Sequence, residues 1–135
     1  MGDPETESVM LRLHGDLAAA CAALKNRDLE KTDLSMHDQH SVTVVAVSGG
    51  YPGPYVKGYD IEGLDLIREA TVFHMGTAGE QQVKTAGGRV LAVSALAPTT
   101  EQAREKAYGE LSRISFMNMY YRKDIGEDLL NRQTP

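Results

Sequence analysis

The stretch Ser41-Val42-Thr43-Val44-Val45-Ala46-Val47 constrains this chain more than any other. β-Branched side chains are stiff at χ1 and fit a packed, pleated surface, so an almost uniformly apolar run of them predicts a buried strand. The run stops at Ser48-Gly49-Gly50-Tyr51-Pro52-Gly53-Pro54, a cluster of turn residues. Further short strands are predicted over Thr71–Met75, over Gln81–Thr85 after Gly76-Thr77-Ala78-Gly79, and over Arg89–Leu96. Pro98-Thr99 then opens a helix, with Thr99 and Gln102 at capping-box spacing and Ala103, Ala107, Leu111 and Ile114 as its buried stripe. Ser115–Tyr121 is expected to return to the sheet as a last strand, followed by the charged turn Arg122–Gly126.

The N-terminal part has a different period. Val9, Leu13, Leu17, Ala20, Cys21 and Leu24 recur at helical spacing, which predicts one helix from Pro4 to Lys25 with Cys21 on its core face. Asp3 is the expected N-cap, Pro4 suits the first helical position, and Glu5 and Glu7 favour the positive end of the helix dipole. Leu29–His40 is charged and weakly periodic, so it is expected to connect two units. The class is α+β: an N-terminal helix, then a small antiparallel sheet or half-barrel with one packed helix. The expected divisions are 1–40, 41–126 and a polar tail at 127–135.

Composition narrows the function. The 135 residues make one ordinary domain with room for a short appendage, and contain no apolar run near the length that a membrane helix needs. The acidic start MGDPETE is neither a signal nor a transit peptide. One cysteine, Cys21, excludes an internal disulfide and fits a reducing cytoplasm. A net charge of −5 without a Lys/Arg cluster argues against a nucleic-acid surface. A cytoplasmic domain that handles a small molecule is the expectation.

Few residues group in a way that points to chemistry. His37-Asp38-Gln39-His40 puts two imidazoles and a carboxylate together, short of the four ligands of a zinc site, so a solvated loop is expected there. His74 sits on a strand between apolar neighbours and is expected as a hydrogen-bonded core histidine. No nucleophile–base set stands out. Ser48–Tyr55 lacks both the P-loop and the dinucleotide-binding pattern. Thr85-Ala86-Gly87-Gly88-Arg89 is the better anion candidate, because glycine N–H groups and a guanidinium fork suit phosphate. Phe116, Met117, Met119, Tyr120 and Tyr121 are expected to fill a core edge.

Five segments together resemble the phosphoribosylamine–glycine ligases, also called glycinamide ribonucleotide synthetases. These are GDPETE with its helix, SVTVVAVSGGYPGPYVKG, VFHMGT, GGRVLAVSALAPTTEQAREKAY and YYRKDIG. The resemblance covers nearly the whole chain but only about the last third of such an enzyme. It implies an ATP-grasp ligase of purine synthesis that joins glycine to 5-phosphoribosylamine through an acyl phosphate, using ATP and magnesium or manganese. In the family, GDPE follows a Glu-x-Asn-x-Arg strand whose Glu and Asn bind the metal. Those positions would precede Met1, so no catalytic or metal residue is expected within this chain, and alone it is expected to be inactive. Gly2, Asp3, Pro4 and Glu5 are then a turn beside the active site. Gly87, Gly88 and Arg89 correspond to a turn that binds substrate phosphate in related ligases, with Ala86 where many members carry Asn. Tyr51, Lys57 and the Arg122-Lys123 pair also match, without an implied role. The implied partners are the N-terminal and ATP-grasp parts of the enzyme, with no nucleic acid and no membrane. The alternatives are a non-catalytic subunit completing a split ligase and a free-standing small-anion binding module.

Overall fold

The structure, a computed structural model, describes residues 2–132. Its centre is an antiparallel sheet in the order β4 (Thr71–His74), β7 (Arg89–Ala97), β3 (His40–Ser48), β8 (Met119–Tyr120). The predicted strand is β3, and its burial alternates: Val42, Val44, Ala46 and Ser48 are buried, while Ser41, Thr43, Val45 and Val47 between them are half-buried. That period of two gives each face its own helix. α3 (Thr100–Leu111) covers one face, where Ala103, Ala107, Leu111 and Ile114 join Val42, Val44, Val93 and Ala95 in the core. The Thr99 hydroxyl caps α3 by accepting from the Gln102 N–H at 3.2 Å. α1 (Glu5–Arg12) lies against β3 and β7 from the other face. Its contact there is polar. The Ser8 hydroxyl meets that of Thr43 at 2.6 Å, and Thr43 in turn meets buried Ser94 at 2.7 Å.

The mixed helix-and-sheet class is as expected, but the N-terminal helix is not continuous. α1 ends at Arg12, Leu13–His14 (β1) runs extended, and α2 (Leu17–Asn26) starts afresh, with Asp16 accepting from the Ala19 N–H at 2.9 Å. The break falls at Gly15, whose φ of +114° admits no ordinary side chain and which closes on the Asp33 carbonyl. β1 pairs with β2 (Ser35–Met36), so the expected connection holds a strand and a 3₁₀ turn, Leu29–Lys31. Breaking the helix also resets its apolar face. α2 packs on that 3₁₀ turn, Ala20 is its buried residue, and Cys21 is exposed rather than in a core. Asp3 does not cap α1 either: Pro4 holds the N-cap position, without a side-chain bond.

Two predicted strands shrink. Of Gln81–Thr85 only β6 (Lys84–Thr85) pairs, with β5 (Thr77–Ala78). Of Ser115–Tyr121 only β8 pairs, because Ser115 exchanges backbone bonds with Glu62 instead and Asn118 turns at φ +58°. Within the expected polar tail, Glu127–Arg132 forms α4, and residues 133–135 lie outside the described part.

Candidate functional site: a cleft between the N-terminal turn and the Gly-Gly-Arg turn

Arg89 is the first residue of β7, and a β-bulge fixes how it leaves the sheet. The register runs Ala46 opposite Leu91 and then Val47 opposite Arg89, so Val90 is an extra residue on β7. Bulges of this kind bend a strand and redirect the side chain beside them. The Val90 carbonyl accepts from both Met75 and Gly76 N–H at 3.1 Å, which ties the bulge to the end of β4. Ser48 fastens the other side. Its N–H donates to the Gly88 carbonyl at 2.8 Å and its hydroxyl to the Gly87 carbonyl at 2.9 Å.

Across 86 positions of sequence, the half-exposed Arg89 guanidinium meets Asp3, with Nη1 at 2.8 Å from Oδ1. Two segments read separately from the sequence therefore share one cleft of about 430 Å³, within the range of small-molecule sites. Asp3, Glu7, Tyr51, His74 and the Gly87–Arg89 turn line it. Pro4 lines a neighbouring cleft of about 270 Å³, separated from the first by Tyr51 and Arg89. Gly2 and Glu5 are exposed and line neither.

The Gly-Gly turn is built for close approach. A β-carbon at Gly88 would overlap the Tyr51 ring, and Gly87 passes directly over Gly76. The N–H groups of Ala86 and Gly87 both donate to the Gly76 carbonyl, at 2.8 and 3.1 Å. Both N–H groups are therefore spent within the protein, and the guanidinium of Arg89 is the positive charge at the turn. Gly88→Ala is expected to lower stability by only about 1 kcal/mol, since the part-exposed Tyr51 ring can swing away. It is also expected to abolish the nuclear Overhauser contact between that ring and residue 88, and persistence of the contact would contradict this wall of the cleft.

Sequence reasoning missed Glu7 and Tyr51 as site residues. Tyr51 lies in the predicted bend after β3, but nothing in the local sequence signals that the bend folds back onto Gly88. His74 is not a core residue. It is exposed at the cleft, its Nδ1 2.9 Å from the Thr77 hydroxyl, because β4 is an edge strand. Arg122 lines the second cleft and forks onto Asp124 at 2.6 and 2.9 Å. Its turn is clamped to α3: Tyr108 donates to the Arg122 carbonyl at 2.7 Å, and Arg104 donates to the carbonyls of Lys123 and Ile125. Burial raises the Tyr108 phenol above its ordinary range. The two histidines of the 37–40 segment separate, His37 stacking edge-on against His14 and His40 bonding Thr100 at 2.9 Å. Among the described residues no group of three or more His, Cys, Asp or Glu is placed to hold a metal ion.

Residues 41–128 match the family model described as phosphoribosylglycinamide synthetase, C domain. Phosphoribosylamine–glycine ligase of Caldanaerobacter subterraneus is 42% identical over 92% of this chain, which covers 30% of that protein. The ligase of Escherichia coli K12 is 40% identical over 98% of the chain and 32% of its own length. A crystal structure of the Thermotoga maritima ligase superimposes with a TM-score of 0.71 at 28% identity, over 93% of this chain and 31% of that one. The chain thus spans about a third of the length of these relatives.

Proposed function

The chain belongs to the phosphoribosylglycinamide synthetase C-domain family, and from that premise we propose that it is the C-terminal part of an ATP-dependent phosphoribosylamine–glycine ligase. Such an enzyme joins glycine to 5-phosphoribosylamine in purine synthesis. In this reading residues 1–40 close an ATP-grasp module and 41–126 form the C-terminal domain. The observation that carries it is the Asp3–Arg89 ion pair, which brings the GDPE turn and the Gly87-Gly88-Arg89 turn to one cleft. Arg89 binds an anionic group of a substrate there. ATP and magnesium or manganese do not fit the residues present. Asp3 is already paired to Arg89, and the described residues hold no cluster of metal-binding side chains. Those groups belong to parts of the enzyme outside this chain. Their charge neutralisation is a dominant catalytic effect, so the chain alone is expected to release no ADP from ATP, glycine and phosphoribosylamine. Mixing with the upstream two-thirds of a relative is expected to restore turnover. Turnover by the chain alone overturns the proposal.

A second reading differs in how the upstream part is supplied, as a separate chain of a split ligase. Val9, Leu24, Leu29, Leu34 and Met36 are exposed apolar side chains of the N-terminal segment, and exposed apolar area of this kind favours a docked partner in either case.

A further inference from the structure

Away from the cleft, we propose that His14 and His37 together bind one divalent transition-metal ion of the zinc class. The ion staples β1 to β2 at the end of α1.

Strand register brings the two rings together. Leu13 pairs with Met36 and His14 with Ser35, and the His37 N–H donates to the Arg12 carbonyl at 2.7 Å. His37 therefore lies opposite Arg12, on the same side of the ladder as His14 and diagonal to it. Both side chains are exposed, and their ring centroids stand 5.5 Å apart. A zinc–imidazole bond of about 2.1 Å puts each centroid roughly 3.2 Å from the ion, so a tetrahedral angle sets two centroids about 5.2 Å apart. The observed spacing suits one shared ion. The rings stand edge to face, with 89° between their planes. Turning one about its Cβ–Cγ bond, a broad torsion, aims a nitrogen at the shared point while the backbone stays in place.

The ring nitrogens are also uncommitted. His74 and His40 each meet a hydroxyl, of Thr77 and Thr100, whereas among the described residues no hydrogen bond holds a ring nitrogen of His14 or His37. Imidazole suits zinc, copper and nickel, while magnesium prefers oxygen, so this pair is unrelated to the metal of ATP chemistry. Two side chains fall short of a closed site, and water completes the shell at modest affinity. Arg12 sets a further limit, because its guanidinium sits on the His37 carbonyl at 3.2 and 3.3 Å and repels a cation. The ion matters through its position. β1 directly follows α1, and β2 leads into β3. A ribbon of two short strands is marginal by itself, so one bond to each strand fixes the end of α1 to the start of β3.

The test is a titration of the intact chain with zinc chloride at neutral pH, followed through the imidazole ¹H–¹³C resonances. Saturable shifts of His14 and His37 are expected at one ion per chain, with His40 and His74 unmoved. His14→Gln and His37→Gln are each expected to weaken binding at least tenfold; both positions are exposed, so the variants fold. Magnesium chloride is expected to shift neither ring. Cys21 is an exposed thiol and a zinc ligand in its own right, so the titration is repeated on Cys21→Ser, where the affinity is expected to hold. Zinc is also expected to slow hydrogen exchange at the His37 amide at least tenfold. A response lost in Cys21→Ser, kept in either histidine variant, or matched by magnesium overturns the site. So does the lack of a saturable shift at millimolar zinc. Saturation with unchanged exchange at His37 overturns the staple.

Discussion

Leu111→Ala is expected to lower the stability of the folded chain by about 3 kcal/mol. Leu111 is fully buried at the end of α3, in the core that α3 shares with Val44, Val90 and Val93. Truncation removes the transfer energy of its side-chain carbons and leaves a cavity, because sheet and helix are both fixed by their own backbone bonds and close on it only in part. For a domain of this size the loss corresponds to a fall in melting temperature on the order of 10 °C. Urea denaturation of the two proteins checks it, and a difference below about 1 kcal/mol contradicts the packing described.

The preceding residue carries the second large effect through a different force. Glu110 is a buried carboxylate on α3 whose Oε2 accepts from the backbone N–H groups of Arg68 at 2.7 Å and Glu69 at 3.3 Å, with Arg113 Nε 3.3 Å from Oε1. It ties the segment before β4 to the helix. The hydrogen bond from Arg68 is the chief cause holding its carboxyl below the ordinary range, and it outweighs burial, which acts the other way. Glu110→Gln keeps the shape and removes the charge, so it is expected to cost about 2 kcal/mol at neutral pH. A depressed folded-state pKa means that the stabilisation is complete above the unfolded carboxyl's titration, near pH 4.5, and is lost as pH falls through the folded value. The gap between wild type and variant should therefore narrow between neutral pH and about pH 3. Urea midpoints with an equal gap at both pH values count against this role.

What the sequence made legible follows from how local each feature is. β3, β7 and α3 stand out because each is an unbroken run of nine or more residues, apolar and β-branched in the strands and helical in spacing in α3, and Thr99 marks where the pattern changes. The break at Gly15 was hidden because Leu13, Leu17 and Leu24 keep helical spacing straight across it. Its cause, β1 pairing with β2, lies some twenty residues downstream in a stretch without apolar rhythm. The turn that leads into Arg89 was readable from the two glycines before it. The Asp3 pairing was not, nor was the bulge at Val90 that aims the arginine, since both depend on register and on contacts between distant segments.

The polar seat of α1 has a consequence for the cleft. No residue of α1 is buried, and the helix rests on the sheet through the hydroxyls of Ser8, Thr43 and Ser41. Elements with so little apolar burial open at low free energy, well before the global unfolding of β3, β7 and α3. Glu7 rides on α1 and Asp3 just ahead of it, whereas Arg89 belongs to the most buried strand of the molecule. One wall of the cleft is thus permanent and the other is present only while α1 is seated. A ligand held by both walls would have an apparent affinity that scales with the seated fraction, and any contact that presses α1 onto β3 would tighten its site without touching it.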